Sequence, residues 1–127
     1  MLEPVRTVQI FQAQPELKTL AAGEVLYREG DVGDYMYGIA EGEIELVHQG
    51  VVLETLEPGE VFGVGGMLGV GLRRTDAIAK TDCKLAYLNQ KHFLFAVQET
   101  PMFAINVMKD YSKRLRKLEF KLNGIPE

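Results

Sequence analysis

The residue types best suited to chemistry lie between positions 59 and 76. Gly59-Glu60-Val61-Phe62-Gly63-Val64-Gly65-Gly66-Met67-Leu68 is followed by Gly69 and Gly71, then by Arg73-Arg74-Thr75-Asp76. Glycine lets backbone approach a ligand closely and turn N–H groups toward an anion. Arginine is a permanent planar cation that can hold two phosphate oxygens at once. Side by side they read as an anion cradle made of Gly63, Val64, Gly65, Gly66, Met67, Arg73, Arg74 and Thr75. The same glycines also suit a plain flexible turn between strands. No Gly-Lys-Ser/Thr follows, so this is not a Walker loop. The glycines also miss the G-x-G-x-x-G spacing, and no parallel βαβ pattern surrounds them.

Other candidates for chemistry are sparse. His48 and His92 fall on separate turns, with no neighbouring nucleophile and no metal-ligand spacing. Cys83 sits in a strand-like run and reads as a core residue. Asp31 and Asp34 lie in turns, where carboxylates cap backbone N–H groups. The residues therefore point to no catalytic site, no metal and no cofactor, and the expectation is a protein that is not an enzyme.

The elements that must position the cradle follow from periodicity. Residues 3–13 suit a short helix with Val5, Val8 and one of Ile10 or Phe11 inward. From Leu17 the period shortens. Lys18–Leu20, Val25–Arg28, Met36–Ala40, Glu43–Val47 and Val51–Leu56 are strand-like, and Gly23, Gly30, Gly33, Gly42, Gly50 and Gly59 punctuate them. His48-Gln49-Gly50 suits a tight hairpin. Asp76–Ala79 and Cys83–Leu88 are two further strands beyond the glycine segment. Short strands at close spacing predict an antiparallel sandwich or barrel.

The last third is helical. One helix opens at Asn89-Gln90-Lys91-His92 and runs to about Gln98. A second has Thr100 as N-cap and Pro101 in its first turn. It runs to about Leu122 and stops at Asn123-Gly124, with Pro126 beyond. Along it Ala104, Met108, Tyr111, Leu115, Leu118 and Leu122 form an a/d-type seam suited to a second copy of the helix. Phe103, Ile105 and Val107 lie off the seam and are expected to face the barrel. The basic run Lys113-Arg114, Arg116-Lys117 and Lys121 reads as a solvated face that complements the helix C-terminus.

Composition bounds the remainder. The chain has 127 residues, 46% hydrophobic and 25% charged, and a net charge of −4. That suits one soluble domain spanning 1–127 and argues against nucleic acid as the main partner. A single cysteine excludes an internal disulfide and fits a reducing compartment. No apolar run approaches the roughly 20 residues needed to cross a bilayer, and no signal pattern opens the chain. A cytoplasmic protein without a membrane partner is expected.

The order of elements resembles the cyclic nucleotide-binding domain, the sensor of the catabolite activator family, cyclic-nucleotide-dependent kinases and gated channels. The resemblance spans nearly the whole chain. It rests on Gly23-Glu24-Val25-Leu26-Tyr27-Arg28-Glu29-Gly30-Asp31, Gly33-Asp34, Ile39-Ala40-Glu41-Gly42-Glu43-Ile44-Glu45-Leu46, Leu56, Pro58-Gly59-Glu60, Phe62-Gly63 and Thr81-Asp82-Cys83. It implies a mainly β fold with helices (α+β): a double-stranded β-helix, or jelly-roll-like β-roll, over about 15–88. A short helix precedes the roll, and helices over about 89–122 follow it.

The family's phosphate-binding cassette reads Phe-Gly-Glu, an apolar stretch, then Pro-Arg and small residues. By this resemblance the family arginine falls on Arg73, its proline becomes Leu72, and the small residue after the arginine becomes Arg74. The glutamate that takes the ribose 2′-hydroxyl becomes Val64. The helix pair that meets the purine falls on Leu118 and Glu119. The phosphate anchor is kept and the ribose and base anchors are not.

Two functions follow. One is a ligand sensor for a cyclic nucleotide or another small anion, with atypical or weak nucleotide binding. The alternative is a scaffold that has lost its ligand and acts through its terminal helix on an unidentified protein partner. A homodimer through the helix seam is expected in either case. The helix-turn-helix domain of the bacterial regulators is absent from these 127 residues, so no DNA binding is expected of this chain.

Overall fold

The computed structural model describes residues 3–123. Helix α1 (Val5–Phe11) is followed by strands β1 (Lys18–Leu20), β2 (Val25–Tyr27), β3 (Met36–Glu41), β4 (Ile44–His48), β5 (Val51–Leu56) and β6 (Val61–Phe62). A four-residue helix, α2 (Val64–Met67), leads to β7 (Asp76–Ala79) and β8 (Cys83–Leu88). Helices α3 (Gln90–Glu99) and α4 (Met102–Asn123) complete the order. The strands form two antiparallel four-stranded sheets, ordered β1-β8-β3-β6 and β2-β7-β4-β5. This is the β-roll with flanking helices expected from the sequence.

The period-2 alternation of each strand divides the core in two. Ile39, Phe62 and Leu85 of one sheet meet Ile44, Leu46, Leu56 and Ala77 of the other inside the roll. Their strand neighbours Met36, Val61, Ala86 and Leu88 point the other way, onto Val5 and Val8 of α1, Ala96 of α3, and Phe103 and Val107 of α4. The sheet β1-β8-β3-β6 is thus buried on both faces, and the helices are fixed to its outer one. Of the two candidates in α1, Phe11 packs on this core while Ile10 is exposed.

Turns follow the glycines where geometry demands them. Gln49 and Gly50 both adopt positive φ (48° and 80°), the pattern of a two-residue hairpin whose twist matches its strands. Gly42 also has positive φ, and a Cβ there would stand 2.2 Å from the Asp82 carbonyl oxygen. Asn89 caps α3 by accepting the His92 N–H at 2.9 Å. Thr100 closes α3, its N–H donating to the Ala96 carbonyl at 2.8 Å, and α4 starts just past Pro101. Gly124 and Pro126 lie outside the described residues.

Three expectations for α4 need correction. Ile105, assigned to the barrel, is exposed, whereas Phe103 and Val107 are buried as expected. Tyr111, assigned to the seam, is half-buried against the core under the helices. Arg114, assigned to a solvated basic face, is only 7% exposed. Arg114 and its neighbour Asp110 face β6. At the edge of its sheet, β6 has backbone groups that no further strand pairs. Helix α4 supplies the missing partners. Asp110 Oδ2 accepts the Val61 N–H at 2.9 Å, and Arg114 Nη1 donates to the Val61 carbonyl oxygen. Buried backbone groups must be paired, so two side chains one helical turn apart do here what a neighbouring strand would do.

Candidate functional site

The glycine segment is not a featureless loop. It holds β6, then Gly63 at φ 76°, then the single turn of α2. A cleft of about 260 Å³ opens over this segment. Gly63, Val64, Gly65, Gly66, Arg73, Arg74 and Thr75 line one part of it, and Tyr27, Leu46 and Glu54 of the roll and Tyr111 and Arg114 of α4 line another. Met67 departs from expectation. It is 4% exposed and packs into the core under the helices, so it holds α2 in place and does not reach the cleft.

Arg73 is the central feature. It is 6% exposed. Nη1 donates to the Gly63 carbonyl at 2.8 Å and Nη2 to the Tyr35 carbonyl at 2.6 Å. The guanidinium lies 4.2 Å from the centre of the Tyr27 ring. Nε is buried without a hydrogen-bond partner. Among the described residues no carboxylate pairs with it. A buried cation held only by carbonyls and one ring face has an uncompensated charge, and such charges are normally paired.

The glycines explain how so large a side chain fits. A Cβ on Gly33, Gly63 or Gly66 would stand 2.5, 2.8 or 2.7 Å from Arg73 side-chain atoms. Gly65, Gly69 and Gly71 have nothing near that position. Within the dense segment, Gly63 and Gly66 therefore make room for the arginine, and Gly33 does so from outside it. Arg74 is exposed at the mouth of the cleft, while Thr75 is half-buried in its wall. Burial favours the neutral phenol at Tyr27 and Tyr111 of this wall and at Tyr37 beside Tyr27. It pushes Tyr27 up to about 12 and raises Tyr37 and Tyr111, although Arg73 pulls the first two, and Arg114 the third, back down.

The helix side of the cleft differs from the sequence expectation. Leu118 and Glu119 do not line it. Leu118 lies beside it, over adjoining grooves that share Glu54, Tyr111 and Arg114 with the cleft, and Glu119 is exposed. Tyr111 and Arg114, one to two turns earlier, occupy the place assigned to that pair. The Tyr111 hydroxyl accepts the Val64 N–H at 3.2 Å, so α4 is bonded directly to the first residue of α2. Arg114 stacks on the Tyr111 ring at 4.5 Å and donates through Nε to Glu54 Oε1 at 3.0 Å and through Nη1 to Asp110 Oδ2 at 2.7 Å. Burial disfavours its charge, but Glu54 and Asp110 outweigh burial and the pKa is raised. The available signal was the i,i+4 spacing of Asp110 and Arg114, which marks a helix-surface ion pair. It lay inside a basic run that masked it. Glu54 had a signal too, as the one charge in Val51–Leu56.

Val64 gives the cleft an apolar side chain. Its amide is already bonded to Tyr111. The cleft thus offers a buried cation with an exposed one beside it, a neutral aromatic floor, and one carboxylate, Glu54.

Comparison with known proteins agrees with this architecture. Residues 17–100 match the family model described as the cyclic nucleotide-binding domain. The cyclic AMP receptor protein of Thermus thermophilus is 30% identical over 106 residues, covering 80% of this chain and 49% of that protein. The cAMP-dependent protein kinase regulatory subunit of Schizosaccharomyces pombe is 37% identical over 73 residues, 57% of this chain and 18% of that protein. The chain thus spans about half or less of the length of these relatives. The crystal structure of the Thermus thermophilus catabolite activator protein superposes with a TM-score of 0.75 at 27% identity, covering 94% of this chain and 57% of that one. A structure described as "A cyclic-GMP-dependent signalling pathway regulates bacterial phytopathogenesis" gives 0.75 at 27% identity, covering 91% and 93%. With its β-roll and the match over residues 17–100, the chain belongs to the cyclic nucleotide-binding domain family.

Proposed function

We propose that this chain is a ligand-sensing regulatory domain whose cleft takes an anionic small molecule, a cyclic nucleotide being the simplest choice, and reports its presence through α4. One observation carries the reading: Arg73 is a buried cation with an orphaned N–H and no carboxylate partner among the described residues. A phosphate at the cleft supplies the missing counter-charge. N–H groups in the first turn of a helix have no intrahelical partner, so the Gly65 and Gly66 amides of α2 add donors, the Val64 amide being taken by Tyr111. The report to α4 runs through the Tyr111 hydroxyl on the Val64 amide, because α2 cannot shift without straining that bond.

Binding of cyclic AMP is expected to be weak. A ribose hydroxyl facing Val64 finds no acceptor, and a buried unpaired polar group costs about 1–3 kcal/mol, about ten- to a hundredfold in affinity. Met108, Leu115 and Leu122 present an exposed apolar stripe on α4 that suits a homodimer. The alternative is a scaffold without a ligand, acting on a protein partner through α4. It draws support from Val64 and from the carbonyls of Gly63 and Tyr35, which already engage Arg73.

Titration calorimetry with cyclic AMP and cyclic GMP separates the two. Arg73→Ala abolishes binding, and Val64→Glu strengthens it about tenfold or more by restoring an acceptor. Low-micromolar or tighter binding of cyclic AMP by the unmodified chain would show that Val64 matters less than argued. No binding by the unmodified chain and no gain in Val64→Glu would establish the scaffold reading.

A further inference from the structure

We infer that the cleft favours a phosphate monoester, the doubly charged group of linear nucleotides and sugar phosphates, over the singly charged diester of a cyclic nucleotide. The inference rests on the reading that the cleft takes an anion, and it specifies the charge of that anion. Three arginines line the cleft: Arg73, Arg74 and Arg114. Arg114 is neutralised in place, by Glu54 at 3.0 Å and Asp110 at 2.7 Å. Arg73 and Arg74 have no carboxylate at ion-pair distance among the described residues. The whole chain has a net charge of −4, so this pair is a local concentration of positive charge. The two are consecutive and differ in depth. Arg73 is 6% exposed, and Arg74 stands exposed at the mouth.

A guanidinium has five N–H donors. Arg73 gives two of them to the Gly63 and Tyr35 carbonyls. Carbonyls bring no net charge, so these bonds fix the side chain and leave its positive charge standing. A phosphate monoester carries close to two negative charges above its second pKa of about 6, spread over three terminal oxygens. A cyclic phosphodiester carries one charge over two such oxygens. The monoester therefore matches both unpaired cations, and the diester leaves one unmatched. Thr75, the next residue along, adds a hydroxyl to the same wall. Much of the remaining lining is apolar: Leu46, Phe62, Val64, Val70 and Leu72. Charge at the arginine end thus decides more of the binding than polar contacts elsewhere. The cleft, at about 260 Å³, is also small for a ligand pocket. That favours two charges on one phosphorus over two separate diesters.

The test is calorimetry on the full chain at about pH 8, where the monoester is doubly charged, with adenosine 5′-monophosphate, cyclic AMP and ribose 5-phosphate. The first two share base and sugar and differ at the phosphate. The third carries the monoester without a base. Adenosine 5′-monophosphate is expected to bind at least about tenfold tighter than cyclic AMP. Ribose 5-phosphate binding as tightly as the nucleotide supports the inference with a sugar phosphate as ligand, and weaker binding supports it with a linear nucleotide. Arg74→Ala, at an exposed position, weakens adenosine 5′-monophosphate about three- to fivefold and leaves cyclic AMP within about twofold. Arg74→Lys keeps most of the preference, because the charge is what is matched. Cyclic AMP binding as tightly as adenosine 5′-monophosphate, or tighter, overturns the inference while the anion site stands. An Arg74→Ala chain with the full preference also overturns it, since Arg74 would then be a solvated charge only. If none of the three probes binds, the anion reading itself fails, and the monoester preference with it.

Discussion

Replacing Arg114 by alanine tests whether α4 is fastened to the roll by a buried ion cluster. The guanidinium bonds Glu54 Oε1, Asp110 Oδ2 and the Val61 carbonyl, and all three carboxylate and guanidinium side chains are largely buried, at 18%, 14% and 8% exposure. Arg114→Ala leaves two carboxylates without their counter-ion and the edge carbonyl of β6 without a donor. Breaking a buried pair by deleting one member costs about 3–5 kcal/mol. The partial exposure of Glu54 and Asp110 lets water recover some of this, so a loss near the lower figure, about 3 kcal/mol, is expected. In urea, with a slope of about 1–3 kcal/mol/M, the midpoint falls by about 1–3 M. Lys113→Ala and Arg116→Ala, whose side chains are exposed, serve as controls and stay within about 0.5 kcal/mol of the parent. Adding Glu54→Gln to Arg114→Ala recovers part of the loss, because one unpaired charge is gone. The reasoning is refuted if Arg114→Ala unfolds at the same urea concentration as Lys113→Ala.

The exposed stripe on α4 gives a second test: Met108→Asp with Leu115→Asp yields a folded monomer by light scattering, each apolar side chain having contributed about 1.5–3 kcal/mol to the dimer. A parent chain already monomeric at high micromolar concentration would rule the seam out as an interface. A third concerns alkaline pH. Tyr27 has a folded-state value of about 12 against an ordinary 10.0, and Tyr37 and Tyr111 are also raised. The folded state therefore holds these protons longer than the unfolded state, so this stabilisation is complete below pH 10 and is lost as pH rises from 10 toward 12. Tyr27→Phe flattens the fall by about 2–3 kcal/mol, read from denaturation midpoints across that range; an unchanged slope would show that the phenol is not desolvated as described.

What the sequence determined by itself was local. Alternation, glycine punctuation and helix stops are properties of neighbouring residues, and they placed seven of the eight strands and the α1, α3 and α4 helices close to their observed bounds. Strand β6 and helix α2 escaped because two and four residues are too few for a period to register. Arg73 stood out in the chain as a candidate anion anchor, since a glycine-rich segment ending in arginine is a contiguous pattern. The tertiary structure decided the rest. Periodicity along α4 could show that one face is apolar but not which way the helix is rotated against the roll. That rotation turns Tyr111 and Arg114 onto β6 and the cleft, and leaves Leu118 and Glu119 outside it. The cause is the unpaired edge of β6, whose Val61 amide and carbonyl claim Asp110 and Arg114. These partners lie 49 and 53 residues away along the chain, a separation that no local pattern of residue types encodes.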